Sequence, residues 1–294
     1  MMNVLAWIAF WASASSLVIP ALSQQPSTTL RVTTRLVEVP VTVLDSRGHY
    51  VDGLERGDFQ VIENGQPKKI KYFENNAGFI SCAILLDTTG SMEKALPHLK
   101  NSVIRFIDEL GPDDSIAIYS FSEALAQQQK LTKDKEAAKR SVLRLRAGGN
   151  TALFDALTDV TGEISRQSGK KVVVVFTDGD DNASVLTAQA AVSRATKDGV
   201  PLFSIAEGEA TDSVRLKKVL TDLSRNTGGD IYEIRTIKDI DEIFLKISTV
   251  LQHIYLITYQ PPLEPDDGKW RRIEVLLGDG NKYRIRAKEG YFPK

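Results

Sequence analysis

Oxygen-bearing side chains occur in three short segments of this sequence, each next to a predicted strand or helix. Residues 87–91 (Asp-Thr-Thr-Gly-Ser) directly follow the apolar run 79–86. Residues 177–179 (Thr-Asp-Gly) follow the Val-rich run 172–176, and residues 148–151 (Gly-Gly-Asn-Thr) open a helical pattern. In open α/β sheets, ligands bind at the carboxyl ends of strands. We therefore expect the three segments to form one site.

The side chains in these segments suit a hard divalent cation. Mg²⁺ prefers oxygen ligands in near-octahedral geometry and keeps several water molecules. The chain supplies two carboxylates and three hydroxyl groups, from Asp87, Thr89, Ser91, Thr151 and Asp178. Two carboxylates leave a dication nearly neutral, so an Asp or Glu of a partner protein could fill an open position. We predict one bound ion, Mg²⁺ or alternatively Mn²⁺ or Ca²⁺, and no catalytic residue.

Each segment also has a simpler explanation. Asp87 and Ser91 could cap a helix, and Asp178 could form a turn. Those roles explain the segments one by one, but not their occurrence together, in order, at the ends of the right elements. Gly90 and the Gly148-Gly149 pair would let the backbone come close to the ion.

The elements that position these segments alternate between strands and helices. Apolar runs end at Leu86, Phe121, Phe176, Ile205 and Ile234, and amphipathic helical patterns separate them. This alternation predicts an α/β fold, a doubly wound, mostly parallel sheet with helices on both faces. The continuous run 172–176 is typical of a central strand. We place this α/β domain at residues 77–252.

The two flanks of that domain have a different pattern. Residues 35–76 alternate apolar and polar side chains, as at Val37, Val39 and Val41, and residues 253–294 return to β-type runs. Each flank has about 40 residues, which is small for an independent core. We expect the N- and C-terminal β segments to pack together as one small β-sandwich, with the α/β domain inserted between them.

The three segments resemble the metal-ion-dependent adhesion site of von Willebrand factor type A (VWA) domains. The resemblance covers about residues 79–252, and Thr89 stands where the family pattern Asp-x-Ser-x-Ser has its first Ser. It implies direct metal contacts from Thr89, Ser91 and, in some conformational states, Thr151, with Asp87 and Asp178 acting wholly or partly through water. It also implies that partner binding is coupled to movement of the last helix, at residues 237–251. The flanks resemble those of exported bacterial proteins with a VWA-related acidobacterial-type domain.

Several features restrict other functions. The 294-residue chain has a formal net charge of −1, which offers no broad field for nucleic acid. Cys82 lies in an apolar run and is expected to be a small buried hydrophobe. We interpret Asp155, Asp180 and Asp181 as solvated loop charges, Lys170-Lys171 as a solvated strand entry, and the basic stretch 133–146 as a solvated helix face.

The N-terminus predicts export. Residues 4–22 are mostly apolar or small, and Pro20 and Ala21-Leu22-Ser23 are typical of a signal peptide at 1–23, followed by a linker at 24–34. The alternative is an uncleaved membrane anchor, because the run approaches the ~20 residues that span a bilayer. Both interpretations place the rest of the chain outside the cytoplasm, in the periplasm or the extracellular space.

These observations predict an exported, non-enzymatic protein-binding (adhesion) module that binds an acidic residue of a partner through its metal. Two alternatives remain open. A metal-dependent hydrolase of phosphate or ester substrates would need acid–base residues that the motifs do not supply. A structural envelope protein would retain the metal site only as a vestige.

Overall fold

A parallel sheet with helices on both faces forms the centre of the structure. The computed structural model describes residues 36–76, 78–234, 236, 239–262, 267–278 and 282–293. The predicted signal peptide and linker therefore lie outside the described residues. The described residues belong to one compact unit. Within the described part of the chain, no helix is both long and apolar enough to span a bilayer.

The strands, in chain order, are β1 (Val37–Leu44), β2 (Phe59–Glu63), β3 (Gln66–Lys68), β4 (Ile70–Glu74), β5 (Ile80–Asp87), β6 (Ser115–Phe121), β7 (Leu125–Thr132), β8 (Lys170–Thr177), β9 (Leu202–Ala206), β10 (Ile231–Glu233), β11 (Tyr255–Tyr259), β12 (Arg271–Leu277), β13 (Arg284–Ala287) and β14 (Gly290–Tyr291). The helices are α1 (Leu96–Glu109), α2 (Lys135–Leu143), α3 (Leu153–Ile164), α4 (Ala188–Asp198), α5 (Glu209–Asp212), α6 (Val214–Thr227) and α7 (Asp239–Gln252).

The central sheet has the strand order β10-β9-β8-β5-β6-β7. All of its neighbouring pairs are parallel except β6 with β7. This arrangement confirms the predicted fold class. The edge strand β7 was not predicted, because its sequence Leu-Ala-Gln-Gln-Gln-Lys-Leu-Thr lacks the apolar run of a buried strand and is covered less completely.

Two hydrophobic clusters hold the helices against the two faces of this sheet. Alternate residues of β5 point to opposite sides: Cys82, Ile84 and Leu86 pack in the cluster that includes α1, α2 and α7, whereas Ala83 and Leu85 pack with α3, α4 and α6. Every residue of β5 and β8 is buried. Burial of Cys82 confirms its prediction as a core residue, and burial raises the pKa of its thiol.

Strands from both flanks form two antiparallel sheets, as predicted. Their orders are β13-β1-β11-β4 and β14-β12-β2-β3, so each sheet combines strands from before and after the central domain. For example, Val39 pairs with Ile257 in one sheet, and Val61 pairs with Val275 in the other. Side chains from both sheets share one hydrophobic cluster. The two flanks therefore fold as one sandwich.

The turn at Asn64-Gly65 connects β2 to β3 within one sheet of the sandwich. Asn64 and Gly65 both have positive φ, and the hairpin that they form pairs β2 with the short strand β3. The chain then changes sheets, so that β4 pairs with β11. At the start of β4, Ile70 is buried in the shared core of the sandwich, a contact that local sequence does not reveal.

The interpretation of Lys170-Lys171 as a solvated strand entry is also wrong. Both side chains are buried, and the Lys171 ammonium donates to Glu38 of β1 at 2.5 Å and to the Gly169 carbonyl at 3.1 Å. The sandwich covers the amino-terminal end of β8, which removes the two lysines from solvent. The basic stretch 133–146 agrees with its prediction, since only Ala138, Ser141 and Val142 of α2 are buried.

A buried carboxylate links the two flanks inside the sandwich. Glu63 of β2 is 4% exposed and accepts hydrogen bonds from the hydroxyls of Tyr259 at 2.5 Å and Tyr291 at 2.8 Å. Burial and the negative charge of Glu63 raise the pKa of both tyrosines, so they remain donors. A buried acceptor of this kind is costly to leave without a donor.

We predict that Tyr259→Phe lowers the free energy of unfolding by about 1–3 kcal/mol, because it removes a donor from a buried carboxylate. Chemical denaturation checks this value. Tyr72→Phe is the matched control, since Tyr72 is 56% exposed and its replacement should change stability very little. Equal stabilities of the two variants would contradict the role of Glu63 as a link between the flanks.

Candidate functional site

The carboxyl ends of β5 and β8 lie side by side. The two strands are parallel, with Leu86 paired with Phe176, so Asp87 reaches the same edge of the sheet as Thr177. Asp178 follows immediately. The predicted segments 87–91 and 177–179 are therefore brought together by strand register alone.

Asp87 is the most deeply buried carboxylate of the site. It is fully buried; its Oδ1 accepts from the Thr89 backbone N–H at 2.9 Å, and its Oδ2 accepts from the Thr177 hydroxyl at 2.8 Å. Burial raises the pKa of Asp87 to about 6; the hydrogen bonds from Thr89 and Thr177 oppose this shift, and the negative charge of Asp178 adds to it. The site thus holds two carboxylates that repel each other in a desolvated position.

A chain of hydroxyl contacts connects the first segment to Asp178. The Thr89 and Ser91 hydroxyls are 2.9 Å apart, and the Ser91 hydroxyl donates to Asp178 Oδ1 at 3.0 Å. Thr89 is 2% exposed, whereas Ser91 is exposed and Asp178 is half-buried. The oxygen cluster therefore runs from the buried edge of the sheet to the surface.

Thr151 joins this cluster through the glycine loop. The Gly148 N–H donates to the Thr88 carbonyl at 2.8 Å, and the Gly90 N–H donates to the Gly149 carbonyl at 3.2 Å. These two bonds hold the segment 148–151 against the segment 87–91. A Cβ on Gly179 would lie 3.9 Å from the Thr151 hydroxyl, so this hydroxyl is beside the segment 177–179. Gly149 has φ +87°, and a Cβ there would lie 3.2 Å from Ser122, so both conformation and space favour glycine.

The loop after Asp178 holds Thr151 in place. The Asn182 side chain accepts from the Thr151 N–H at 2.9 Å, and the Thr151 carbonyl accepts from the N–H groups of Asn182 and Ala183. These bonds close the backbone of Thr151 from both sides. Sequence reasoning missed Asn182, because an asparagine in a loop has no signal that distinguishes a clamp from an ordinary turn residue.

The interpretation as solvated loop charges is wrong for Asp155 and Asp181, whereas Asp180 forms an exposed ion pair at the surface. Asp155 accepts from the N–H groups of Val185 and Leu186, and Asp181 accepts from the Phe154 N–H at 2.9 Å and the Ser184 hydroxyl at 2.6 Å. Asp180 pairs with Arg215 at 2.5 Å. Asp155 and Asp181 thus accept from backbone N–H groups in the loop 184–186 and at the start of α3. The first N–H groups of a helix have no partner within the helix.

Glu207 is a second residue that sequence reasoning missed. It follows β9, the next strand of the sheet, and its N–H donates to the Thr177 carbonyl at 3.0 Å. Burial raises the pKa of Glu207, and the negative charge of Asp178 raises it further. An acidic residue after a third neighbouring strand was the signal that could have identified it.

The five predicted ligands fit a hard divalent cation. Three hydroxyls and two carboxylates from three loops lie at one edge of the sheet, and burial raises the pKa of Asp87, with a smaller contribution from the negative charge of Asp178. Among the described residues, no three His, Cys, Asp or Glu side chains form a group suited to a metal. The predicted set has only two such residues, since its other oxygens are hydroxyls.

The sequence of residues 82–246 matches the family model of the von Willebrand factor type A domain. The chain belongs to this family. The match extends over the three segments of the site and from β5 into α7. No curated protein matches the chain.

Two solved structures are similar to this chain in fold at low sequence identity. A von Willebrand factor type A protein from Catenulispora acidiphila has 15% identity and a TM-score of 0.52, with 89% of this chain and 75% of that chain covered. The PilB minor pilin from Streptococcus sanguinis has 14% identity and a TM-score of 0.50, with 59% of this chain and 61% of that chain covered. This chain thus matches less than two thirds of the pilin. Identities this low show a shared fold.

We predict that Asp155→Ala loosens the loop that holds Thr151. Loss of the acceptor for the Val185 and Leu186 N–H groups should speed their hydrogen exchange roughly fivefold or more, the equivalent of a bond worth about 1 kcal/mol. Asp159→Ala, one turn along α3 at an exposed position, is the control and should leave these amides unchanged. Unchanged exchange in Asp155→Ala would show that the clamp does not order the loop.

Proposed function

We propose that this chain is an exported, non-enzymatic VWA protein that holds one divalent cation, Mg²⁺ or a similar ion, with Asp87, Thr89, Ser91, Thr151 and Asp178. The bound ion would supply an electrophilic position for an acidic residue of a partner protein. The observation that carries the proposal is the contact chain from Asp87 through Thr89 and Ser91 to Asp178. It brings neutral and anionic oxygens together at the open edge of the sheet.

The residues of the chain divide the work of the site. Asp87 accepts hydrogen bonds from Thr89 and Thr177 and provides a carboxylate that solvent does not reach. Ser91 and Asp178 lie nearer the surface, where a partner can approach. The glycine loop and Asn182 keep Thr151 at the same edge. Each ligand is thus positioned by backbone contacts from another loop.

A binding role is favoured over catalysis by the positions of the three histidines. The histidines are occupied elsewhere: His49 contacts Asp45, His98 lies near Asp241, and His253 lies near Asp52. General acid–base catalysis needs a group within hydrogen-bond reach of the reacting atoms.

Export rests on the apolar N-terminal residues 1–23, with a membrane anchor as the alternative, and the expected partner is a protein.

We predict that calorimetric titration with Mg²⁺ detects one site in the wild type and that Asp178→Ala weakens binding roughly a hundredfold or more, because half of the anionic charge is lost. Ser91→Ala should weaken binding less. Asp180→Ala is the matched control, since Asp180 pairs with Arg215. Melting curves in EDTA verify that each variant is folded. Equal affinity of the wild type and Asp178→Ala would refute the assigned ligand set.

The partner is tested separately from the metal. A protein captured from the exported fraction on immobilised wild type in Mg²⁺ should dissociate in EDTA. It should bind more weakly to Ser91→Ala, whose exposed position carries little folding risk. Capture that persists in EDTA would exclude the ion as the bridge. Turnover of generic phosphate or ester substrates by the wild type, lost in Asp178→Ala, would instead establish the hydrolase.

A further inference from the structure

The turn after β9 is folded against the backbone of Asp178. The Ala210 N–H donates to the carbonyls of Asp178 at 3.2 Å and Glu207 at 3.0 Å. Gly208 has φ +53°, and a Cβ there would lie 3.4 Å from the Asp178 carbonyl. Together with the bond from the Glu207 N–H to the Thr177 carbonyl, these contacts fix the backbone of Glu207 beside the segment 177–179.

The carboxylate of Glu207 lacks the donor that its position requires. Its Oε2 is buried, and it has no hydrogen-bond partner in the part of the chain that the structure describes. A buried polar atom without a partner costs free energy comparable to a lost hydrogen bond and calls for an explanation. The repulsion from Asp178 adds to this cost.

The first two basic residues of α6 are engaged with other acids. Lys217 of α6 pairs with Glu233 at 2.8 Å, and Arg215 pairs with Asp180. The helix that follows Glu207, α5, has only four residues, so it offers little helix dipole to an acidic group. The fold of the described residues therefore gives no structural role to the charge of Glu207.

We infer that Glu207 is a third carboxylate of the proposed metal site, acting on the ion through its charge from outside the five ligands. This inference rests on the proposed function. The absence of a three-acid metal group among the described residues is consistent with an indirect role. Two carboxylates balance a divalent cation, and a third makes the loaded site negative. Glu207 thus strengthens binding of the cation and weakens binding of a partner carboxylate, which sets a compromise between the two affinities.

The test compares wild type with Glu207→Gln and Glu207→Asp, with Glu233→Gln as the control at the same edge of the sheet. In calorimetric titration with Mg²⁺, Glu207→Gln should bind roughly 10- to 100-fold more weakly, as other groups outside the ligand set do when removed. Glu207→Asp should keep part of the affinity because it keeps the charge. The control should match the wild type.

Thermal unfolding distinguishes this role from a structural one. In EDTA, Glu207→Gln should melt a few degrees above wild type, because a poorly solvated charge is removed. In saturating Mg²⁺ this advantage should shrink or reverse, since bound ligand stabilises according to its affinity. A merely structural residue would lower the melting temperature equally in both conditions.

Sodium acetate serves as the probe for a partner carboxylate. With Mn²⁺ bound, acetate should displace metal-bound water, measured by water-proton relaxation, at several-fold lower concentration in Glu207→Gln than in the wild type. Wild-type metal binding with unchanged affinity in Glu207→Gln would overturn this inference and leave the proposed function intact. Absence of metal binding in the wild type would overturn both.

Discussion

The side-by-side pairing of β5 and β8 is the constraint on which the rest of the structure depends. Their register aligns the last residues of both strands, so that Asp87, Thr177 and Asp178 share one edge. A slip of one residue would send every side chain of a strand to the opposite face. The two hydrophobic clusters exclude that slip, because each takes a fixed half of the residues of β5 and β8. The cores of the α/β domain therefore determine the geometry of the site.

The acidic groups at this edge are electrostatically unfavourable without a counter-charge. Asp87 is buried at the end of β5, Asp178 follows the neighbouring strand β8, and Glu207 follows β9 on the other side of β8. Hydrogen bonds from Thr89, Thr177 and Ser91 offset part of the repulsion. Perturbed carboxylates of this kind concentrate at functional sites, where the rest of the fold supplies the stability that they remove. A divalent cation is the simplest partner that would relieve all three.

The two ends of the central sheet have different surroundings. At the amino-terminal end of β8, Lys171 pairs with Glu38 of the sandwich and is buried. At the carboxyl end, the three loops of the site remain open to solvent at Ser91. Because each sandwich sheet combines strands from both flanks, the sandwich requires the central domain to return the chain close to where it left. The insertion thus covers one end of the sheet and leaves the other end open to solvent at Ser91.

The sequence by itself determined the fold class and the flanking β segments, and it is the source of the five proposed ligands. These follow from local patterns: apolar runs, helical periodicity, and oxygen-bearing residues at strand ends such as Asp87 and Asp178. Only the tertiary structure decided the edge strand β7, the change of sheets at Ile70, the burial of Lys170 and Lys171, and the roles of Asp155, Asn182 and Glu207. The physical reason is the same in each case. A charged or polar residue has one sequence signature whether it faces water or a distant backbone group, and the fold alone determines which of these surrounds it.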